Sequence, residues 1–259
     1  MIYFFVRWCL AAPVVRFILR PKLINKSNIP MNGGAVLAAN HIYAGDTWPV
    51  AILVRRRIYI PGRASLFTAT NPAGRMLAAI LRFAGIVPID TGGGSSAHGS
   101  LSQLEGVLQT GQLVAIWPEG TRSPDGRMYR FHTGVARLAL TAGVPVVPLA
   151  CINTKLRHGF LGLPTLRDAR YIFGAPLDFS DYFGRQDDPA AIRWVTDQIA
   201  ATIQTMTGQT YVDVYARDIK SGKMTLDQAN SYVLAHPGAG VGRPPINSAG
   251  ASRDVKDAT

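Results

Sequence analysis

Six short apolar runs, most of them rich in β-branched residues and separated by longer helical patterns, constrain the fold of this chain more than any other feature. The runs are Ala35 to Ala39, Ile58 to Pro61, Gly85 to Ile89, Leu113 to Trp117, Pro145 to Cys151 and Ala169 to Phe173. Between them the spacing of apolar residues predicts helices over Thr47 to Arg56, Ala73 to Ala84, Leu101 to Thr110 and Gly134 to Ala142. Such alternation builds an α/β layer architecture, a single domain with a mostly parallel central sheet flanked by helices. Asp187-Asp188-Pro189 then opens a long helix, with Asp188 as N-cap, Pro189 at its first position and Ile192, Val195, Ile199 and Ile203 as one apolar stripe. This helix closes the domain. We therefore assign residues 23–210 to the domain, 211–236 to a C-terminal helical extension, and 237–259, rich in Pro, Gly, Ser and charge, to a disordered tail.

Residues 1–22 are of a different kind. They are largely apolar, but Arg7 and Arg16 leave only Trp8 to Val15 uncharged, and a spanning helix needs about 20 apolar residues. A secretory signal fits poorly, because no basic region precedes the apolar block and no small-residue cleavage site follows. What remains is a helical segment lying in the bilayer interface, with apolar groups inward and arginines at headgroup level. The other reading is a buried N-terminal helix whose arginines reach solvent. Charge favours the first. The chain carries a formal net charge of +11, and residues 1–85 hold eleven cations against one acid, Asp46. Trp48 to Val54 followed by Arg55-Arg56-Arg57, and Met76 to Phe83 containing Arg82, repeat the pairing of apolar run and cation. Three such segments point to a membrane surface with anionic lipids rather than to a nucleic acid, which calls for more polar spacing and a binding module. Only Cys9 and Cys151 are present, so neither a disulfide framework nor a structural zinc site is available. The expected location is peripheral or monotopic on the cytoplasmic face of a membrane.

In open α/β sheets the working residues lie on loops just past the carboxyl ends of strands. Two of the strands deliver polar clusters there: Asn40-His41-Ile42-Tyr43-Ala44-Gly45-Asp46 after the first, and Pro118-Glu119-Gly120-Thr121-Arg122-Ser123 after the fourth. On a continuous helix, positions five apart stand about 140° apart, so His41 and Asp46 meet only if the chain bends at Ala44-Gly45. If they meet, Asp46 holds the imidazole in one tautomer and leaves its other nitrogen free to take a proton. Plainer roles stand beside this one, with Asp46 as N-cap of the following helix and His41 bonded to backbone. In the second cluster glycine permits close approach to a ligand, Thr and Ser offer hydroxyls, and Arg offers a planar fork for phosphate oxygens; a charged surface turn is the alternative.

Together the clusters resemble a family. Asn-His-(four residues)-Asp at 40–46, Trp-Pro-Glu-Gly-Thr-Arg-Ser at 117–123 and Val-Pro-Val-Val-Pro at 144–148 are similar in order and spacing to the glycerolipid acyltransferases of the 1-acylglycerol-3-phosphate acyltransferase type, over roughly residues 20–180. Phe131-His132-Thr133-Gly134 and Phe173-Gly174-Ala175-Pro176 echo weaker landmarks. The resemblance implies a glycerol-3-phosphate acyltransferase-like fold. It also implies transfer of a fatty acyl group from acyl-CoA or acyl carrier protein to the free hydroxyl of a lysophospholipid. His41 would be the general base and Asp46 its orienting partner. Arg122 would hold the acceptor's phosphate, with Glu119 fixing the loop and, together with Gly120 and Thr121, completing the substrate site. No G-x-S-x-G elbow is present, so direct attack on the thioester is expected rather than a covalent acyl-enzyme.

Two positions depart from the family's pattern. Gly85 to Asp90 leads to Thr91 where an arginine is usual, and His132 replaces a lysine. Both weaken the expected cation supply for a phosphate and leave another lipid hydroxyl open as acceptor; a non-catalytic lipid-binding role on the same fold is the alternative from another class. No cofactor is expected. Gly92-Gly93-Gly94-Ser95-Ser96 lacks the Lys-Ser/Thr of a P-loop and reads as a flexible loop. His98, His132, His158 and His236 lack metal-ligand spacing, so no metal is expected.

Overall fold

The computed structural model describes residues 5–89, 95–159 and 162–246, without the side chains of 95–100. Its N-terminal segment is helical, wound in wide i→i+5 turns at Val6–Ala11 and Val14–Leu19 with Pro13 between them. The elements that follow are β1 (Lys22–Ile24), β2 (Ala35–Ala39), α1 (Trp48–Leu53), β3 (Ile58–Arg63), α2 (Pro72–Phe83), β4 (Ile86–Ile89), α3 (Ser95–Gln109) and β5 (Leu113–Ile116). Beyond the second cluster come β6 (Met128–Tyr129), α4 (Gly134–Ala142), β7 (Val146–Ile152), β8 (Arg157–His158), β9 (Pro164–Thr165), β10 (Arg170–Phe173), α5 (Pro189–Thr207), β11 (Tyr211–Val212), α6 (Ala216–Lys220), α7 (Leu226–Ala229) and β12 (Val233–Leu234).

Seven strands form the central sheet in the order β1-β10-β7-β2-β5-β3-β4. The five from β7 to β4 run parallel; β10 lies antiparallel to β7, and β1 is parallel to β10. β2 sits at the centre because each of its five side chains is apolar and it can be covered on both faces. On one face Leu104, Leu108, Leu138, Val195 and Ile199, from α3, α4 and α5, pack against Val36 and Val114. On the other, Val15, Leu19, Val50 and Val54 pack against Leu37 and Leu113. The α5 cap is the expected one: Asp188 Oδ1 accepts from Ala190 N at 2.9 Å and Ala191 N at 3.1 Å. Ile192, Val195, Ile199 and Ile203 are all buried.

The basic apolar segments divide differently from the expectation. Trp48 to Val54 is not a surface stripe: Pro49, Val50 and Val54 are buried and α1 belongs to the core. Arg7 does not reach headgroup level either. It is buried, its Nε donates to Ile52 O at 2.9 Å, and its Nη atoms donate to Arg56 O, so it caps carbonyls at the end of α1. Arg56 in turn donates to the carbonyls of Pro30 and Gly33 at 2.7 Å each and to that of Gly111. Part of the N-terminal charge is thus engaged by backbone. Among the apolar residues left outward are Phe5, Leu10, Val14, Phe17 and Ile18 on the N-terminal segment and Met76, Leu77, Ile80 and Phe83 on α2. Among the described residues no helix is long and apolar enough to cross a membrane.

The segment 211–236 contains two short helices and also two strands, which join β6 in a small sheet of order β12-β11-β6. Residues 237–246, expected in a disordered tail, lie against the domain. Tyr182 donates to Pro244 O at 2.9 Å, and Arg243 pairs with Asp181 at 2.9 Å and lies over the Trp194 ring. Those contacts come from one arginine and from carbonyls, groups that leave no apolar periodicity to read. Residues 247–259, Thr91 and the glycines 92–94 lie outside the described residues; Ser95 and Ser96 open α3.

Candidate active site

Parallel pairing sets where the two polar clusters meet. Ala38 of β2 stands opposite Ile116 of β5, so both strands end at the same edge and release residues 40–46 and 117–123 side by side. The loops are then tied directly. His41 N donates to Glu119 Oε1 at 2.8 Å, and Ser123 N donates to His41 O at 2.7 Å.

Residues 44–46 form one tight helical turn, the bend that brings His41 to Asp46. Gly45 is required there, because a Cβ at that position would lie 2.2 Å from Thr154 O. The turn leaves His41 Nδ1 2.9 Å from Asp46 Oδ2. The same oxygen accepts from Ile42 N at 2.6 Å and Tyr43 N at 2.8 Å, while Thr154 donates its hydroxyl to Oδ1. Asp46 is fully buried and its donors account for both oxygens, so the carboxylate is rigid. It does not cap α1, whose N-cap is Thr47 with no side-chain bond. With Asp46 accepting, Nδ1 carries the ring proton and Nε2 is the free base; the His41 side chain keeps 19% exposure. Its ring lies 5.7 Å from that of Trp117, whose indole N–H is buried without a hydrogen-bond partner among the described residues.

Glu119 is placed differently from a substrate-binding group. It is fully buried, with Oε1 on His41 N and Oε2 accepting from Tyr129 N at 3.2 Å. Burial pushes its carboxyl up to about 8, against the downward pull of those two donors. It braces the two loops against each other. Gly120, with φ +70°, and Arg122 are exposed at the mouth of the site, and Thr121 Oγ1 accepts from Lys220 Nζ at 3.2 Å. Near Gly120 lies His132, stacked on Tyr215 at 4.4 Å, its pKa lowered by burial and then by Arg217 and Arg193. His132 is therefore a neutral ring at pH 7.

Several contacts of this assembly carried no signal in the sequence, although Asn40 itself opens the first motif. Asn40 is buried, bonding Cys151 O at 3.0 Å, Cys151 N at 2.8 Å and Gln209 Oε1 at 2.7 Å, which fixes the start of the His41 loop to β7. Tyr171 donates to Gly45 O, and Thr154 holds Asp46. Cys151 is no nucleophile: burial raises its thiol pKa well above the ordinary value. Among the described residues no group of three or more His, Cys, Asp or Glu could hold a metal ion. A groove of about 1060 Å³ between the N-terminal segment and the residues after α1, lined by Trp8, Phe17, Leu53 and Arg55 among others, contains neither His41 nor Arg122.

Known proteins resemble this chain in sequence and in fold. The family described as Acyltransferase matches residues 20–152, just over half the chain. The 1-acyl-sn-glycerol-3-phosphate acyltransferase of Haemophilus influenzae is 28% identical over 152 residues, 57% of this chain and 60% of that protein. Its Escherichia coli counterpart is 28% identical over 154 residues, covering 58% and 59%. The chain spans about three fifths of the length of these two relatives. In fold it is similar to the crystal structure of the 1-acyl-sn-glycerophosphate (LPA) acyltransferase PlsC from Thermotoga maritima, with a TM-score of 0.50 and 18% identity over 80% of this chain and 74% of that one. The family match covers both loop clusters and the strands that deliver them, and the chain belongs to the acyltransferase family.

Proposed function

We propose that this chain moves a fatty acyl group from an acyl thioester to the free hydroxyl of a lysophospholipid, with 1-acylglycerol 3-phosphate as the preferred acceptor and phosphatidic acid as product. One observation carries the reading: His41 Nδ1 is held 2.9 Å from a buried, immobile Asp46, while the loop bearing Arg122 is bonded to the backbone of the same histidine. His41 and the loop of Arg122 share one edge of the sheet, which supports reading them as base and phosphate-binding cation. His41 Nε2 takes the proton of the acceptor hydroxyl as its oxygen attacks the thioester carbon. The C–S bond breaks on collapse of the tetrahedral adduct, and the leaving thiolate recovers the proton from the imidazolium. Asp46 stabilises that imidazolium and keeps its tautomer; it is not itself protonated. No covalent acyl-enzyme is needed, since the only cysteine near the base is a buried, protonated thiol.

The donor is acyl-CoA or acyl carrier protein, and the enzyme works from a membrane surface. Support for the surface is the outward apolar face of the N-terminal segment and of α2, bordered by Arg16, Arg75 and Arg82. A direct test is incubation with labelled acyl-CoA, or acyl carrier protein charged with the same chain, against a panel of lysolipids, with His41→Ala as control. Phosphatidic acid formed by the wild type and not by the variant is the expected result. Turnover undiminished in His41→Ala would remove the histidine from the chemistry, and binding of lysolipids without any turnover would make the protein a lipid-binding relative.

A further inference from the structure

The C-terminal segment is sewn onto the loop that carries Arg122. β11 pairs in parallel with β6, Tyr211 opposite Met128 and Val212 opposite Tyr129, and Arg130 N donates to Val214 O at 3.0 Å. Tyr129, Val212, Val214, Ala216 and Ala229 form a separate small core beneath this join. Tyr129 N is also the donor to Glu119 Oε2, so one continuous set of contacts fixes α6 relative to the Glu119–Ser123 loop. At the end of α6, Lys220 Nζ donates to Thr121 Oγ1 at 3.2 Å, on the residue next to Arg122. Arg122, one residue on from that contact, lowers the pKa of Lys220, second to burial, so the two charges are near enough to repel. Among the described residues neither makes an ion pair. The acid that acts on Lys220 is Glu119, and both its oxygens are engaged by backbone N–H groups.

Two like charges held together at the surface without a facing carboxylate are unfavourable unless an anion joins them, and the cost falls further when that anion carries two charges. We propose that Lys220 and Arg122 form a two-cation clamp for the phosphate of the lipid acceptor, selecting a phosphomonoester over a phosphodiester. The clamp draws half of its charge from beyond the family-matched residues 20–152. It takes the place of the charge that His132, neutral and stacked on Tyr215, does not supply. This rests on the acyl-transfer reading given above.

The same chemistry is present in the 3′-phosphate of coenzyme A, so the test separates acceptor from donor. Steady-state kinetics are measured for Lys220→Met, Lys220→Arg and the charge-matched control Lys223→Met. Lys223 is exposed and 3.8 Å from Asp218 on the same segment. Lys220→Met should raise KM for 1-acylglycerol 3-phosphate about tenfold, equivalent to about 1.4 kcal/mol. It should leave KM for acyl-CoA within about twofold and narrow the preference over 1-acylglycerophosphoglycerol, a diester, by a similar factor. Lys220→Arg should recover most of the loss, and Lys223→Met should show none. An unchanged acceptor KM, an equal loss on the diester, or a rise confined to acyl-CoA would each overturn the clamp. If the wild type transfers no acyl group at all, the acyl-transfer reading fails instead. Calorimetric titration with 1-acylglycerol 3-phosphate in neutral detergent micelles then decides the clamp alone, since equal affinity of wild type and Lys220→Met would refute it and about tenfold weaker binding by the variant would sustain it.

Discussion

Replacing Asp46 with Asn separates the charge of this carboxylate from its architecture. An amide oxygen in place of Oδ2 can still accept from Ile42 N, Tyr43 N and His41 Nδ1–H, and an amide nitrogen in place of Oδ1 can donate to the Thr154 hydroxyl after that hydroxyl rotates. The fold should survive, at a cost of about 1–3 kcal/mol for bonds that no longer end on a charge. What is lost is the attraction between a carboxylate and the imidazolium formed in the transition state. With charge centres roughly 4 Å apart and an effective dielectric of about 20, that attraction is about 4 kcal/mol. Each 1.36 kcal/mol is tenfold in rate, so kcat should fall by about three decades. Because the proposed site for the acceptor phosphate lies elsewhere, the acceptor KM should change by less than about threefold. The assay is steady-state transfer from acyl-CoA, with circular dichroism and thermal melting to verify the fold. A folded Asp46→Asn enzyme within tenfold of wild-type kcat would refute the claim that Asp46 acts through charge. Asp46→Ala is a poorer probe, since it orphans two backbone donors and a hydroxyl in a buried site.

The remaining predictions follow from neighbouring contacts. Gly45→Ala must push Thr154 O away from a Cβ otherwise 2.2 Å distant, so it should lower both Tm and kcat; retention of both would mean that the turn adapts freely. Glu119 has a folded-state pKa of about 8, above its unfolded value of about 4.3, so its favourable contribution is complete below the unfolded value and is lost as pH climbs toward 8. Urea unfolding at pH 5, 6.5 and 8 should therefore show a wild-type stability loss that Glu119→Gln lacks, and parallel pH curves would contradict it. Arg122→Ala should raise the acceptor KM by about 1.5–3 kcal/mol, the range for a hydrogen bond to a charged group, with far less effect on the donor. Serine at Phe5, Leu10 and Phe17, which are 63%, 60% and 66% exposed, should weaken sedimentation with anionic vesicles at least tenfold without altering Tm, because these side chains contribute little to the core. Undiminished sedimentation would place the membrane face elsewhere.

Strand and helix positions were readable because burial on two faces leaves an unbroken apolar signature. β2 is Ala-Val-Leu-Ala-Ala, and α4 runs over the expected residues Gly134–Ala142. The meeting of the two polar clusters was readable for a related reason, since polar residues directly after such a strand have nowhere to go but the sheet's carboxyl edge. The bend at Ala44-Gly45 could also be deduced, because a five-residue spacing of His41 and Asp46 is unworkable on a straight helix. Other features depend on partners far along the chain. Thr154 is 108 residues from Asp46, Asn40 is 111 from Cys151, and Lys220 is 99 from Thr121. A single sequence carries no pattern that pairs them, and the two-residue strands β6 and β11, which bring Lys220 into place, are too short to have a periodicity.

The same dependence on distant partners explains why two of the arginines, Arg7 and Arg56, are not the surface groups their sequence context suggests. A run of arginines reads as a surface, yet a guanidinium satisfies several carbonyls at once, and Arg7 and Arg56 are used in that way at the ends of α1 and of the loops beside it. Glu119 is the converse case, a carboxyl group within a charged turn that is wholly enclosed because two backbone N–H groups need acceptors where the loops cross. The role of a charged residue is decided by which unpaired backbone groups the tertiary fold leaves near it. Arg122 and Lys220 make no ion pair among the described residues, and Lys220 bonds the residue next to Arg122 in the loop tied to the His41 backbone, which is why these two, rather than the arginines of the N-terminal third, are the cations to test against a phosphate.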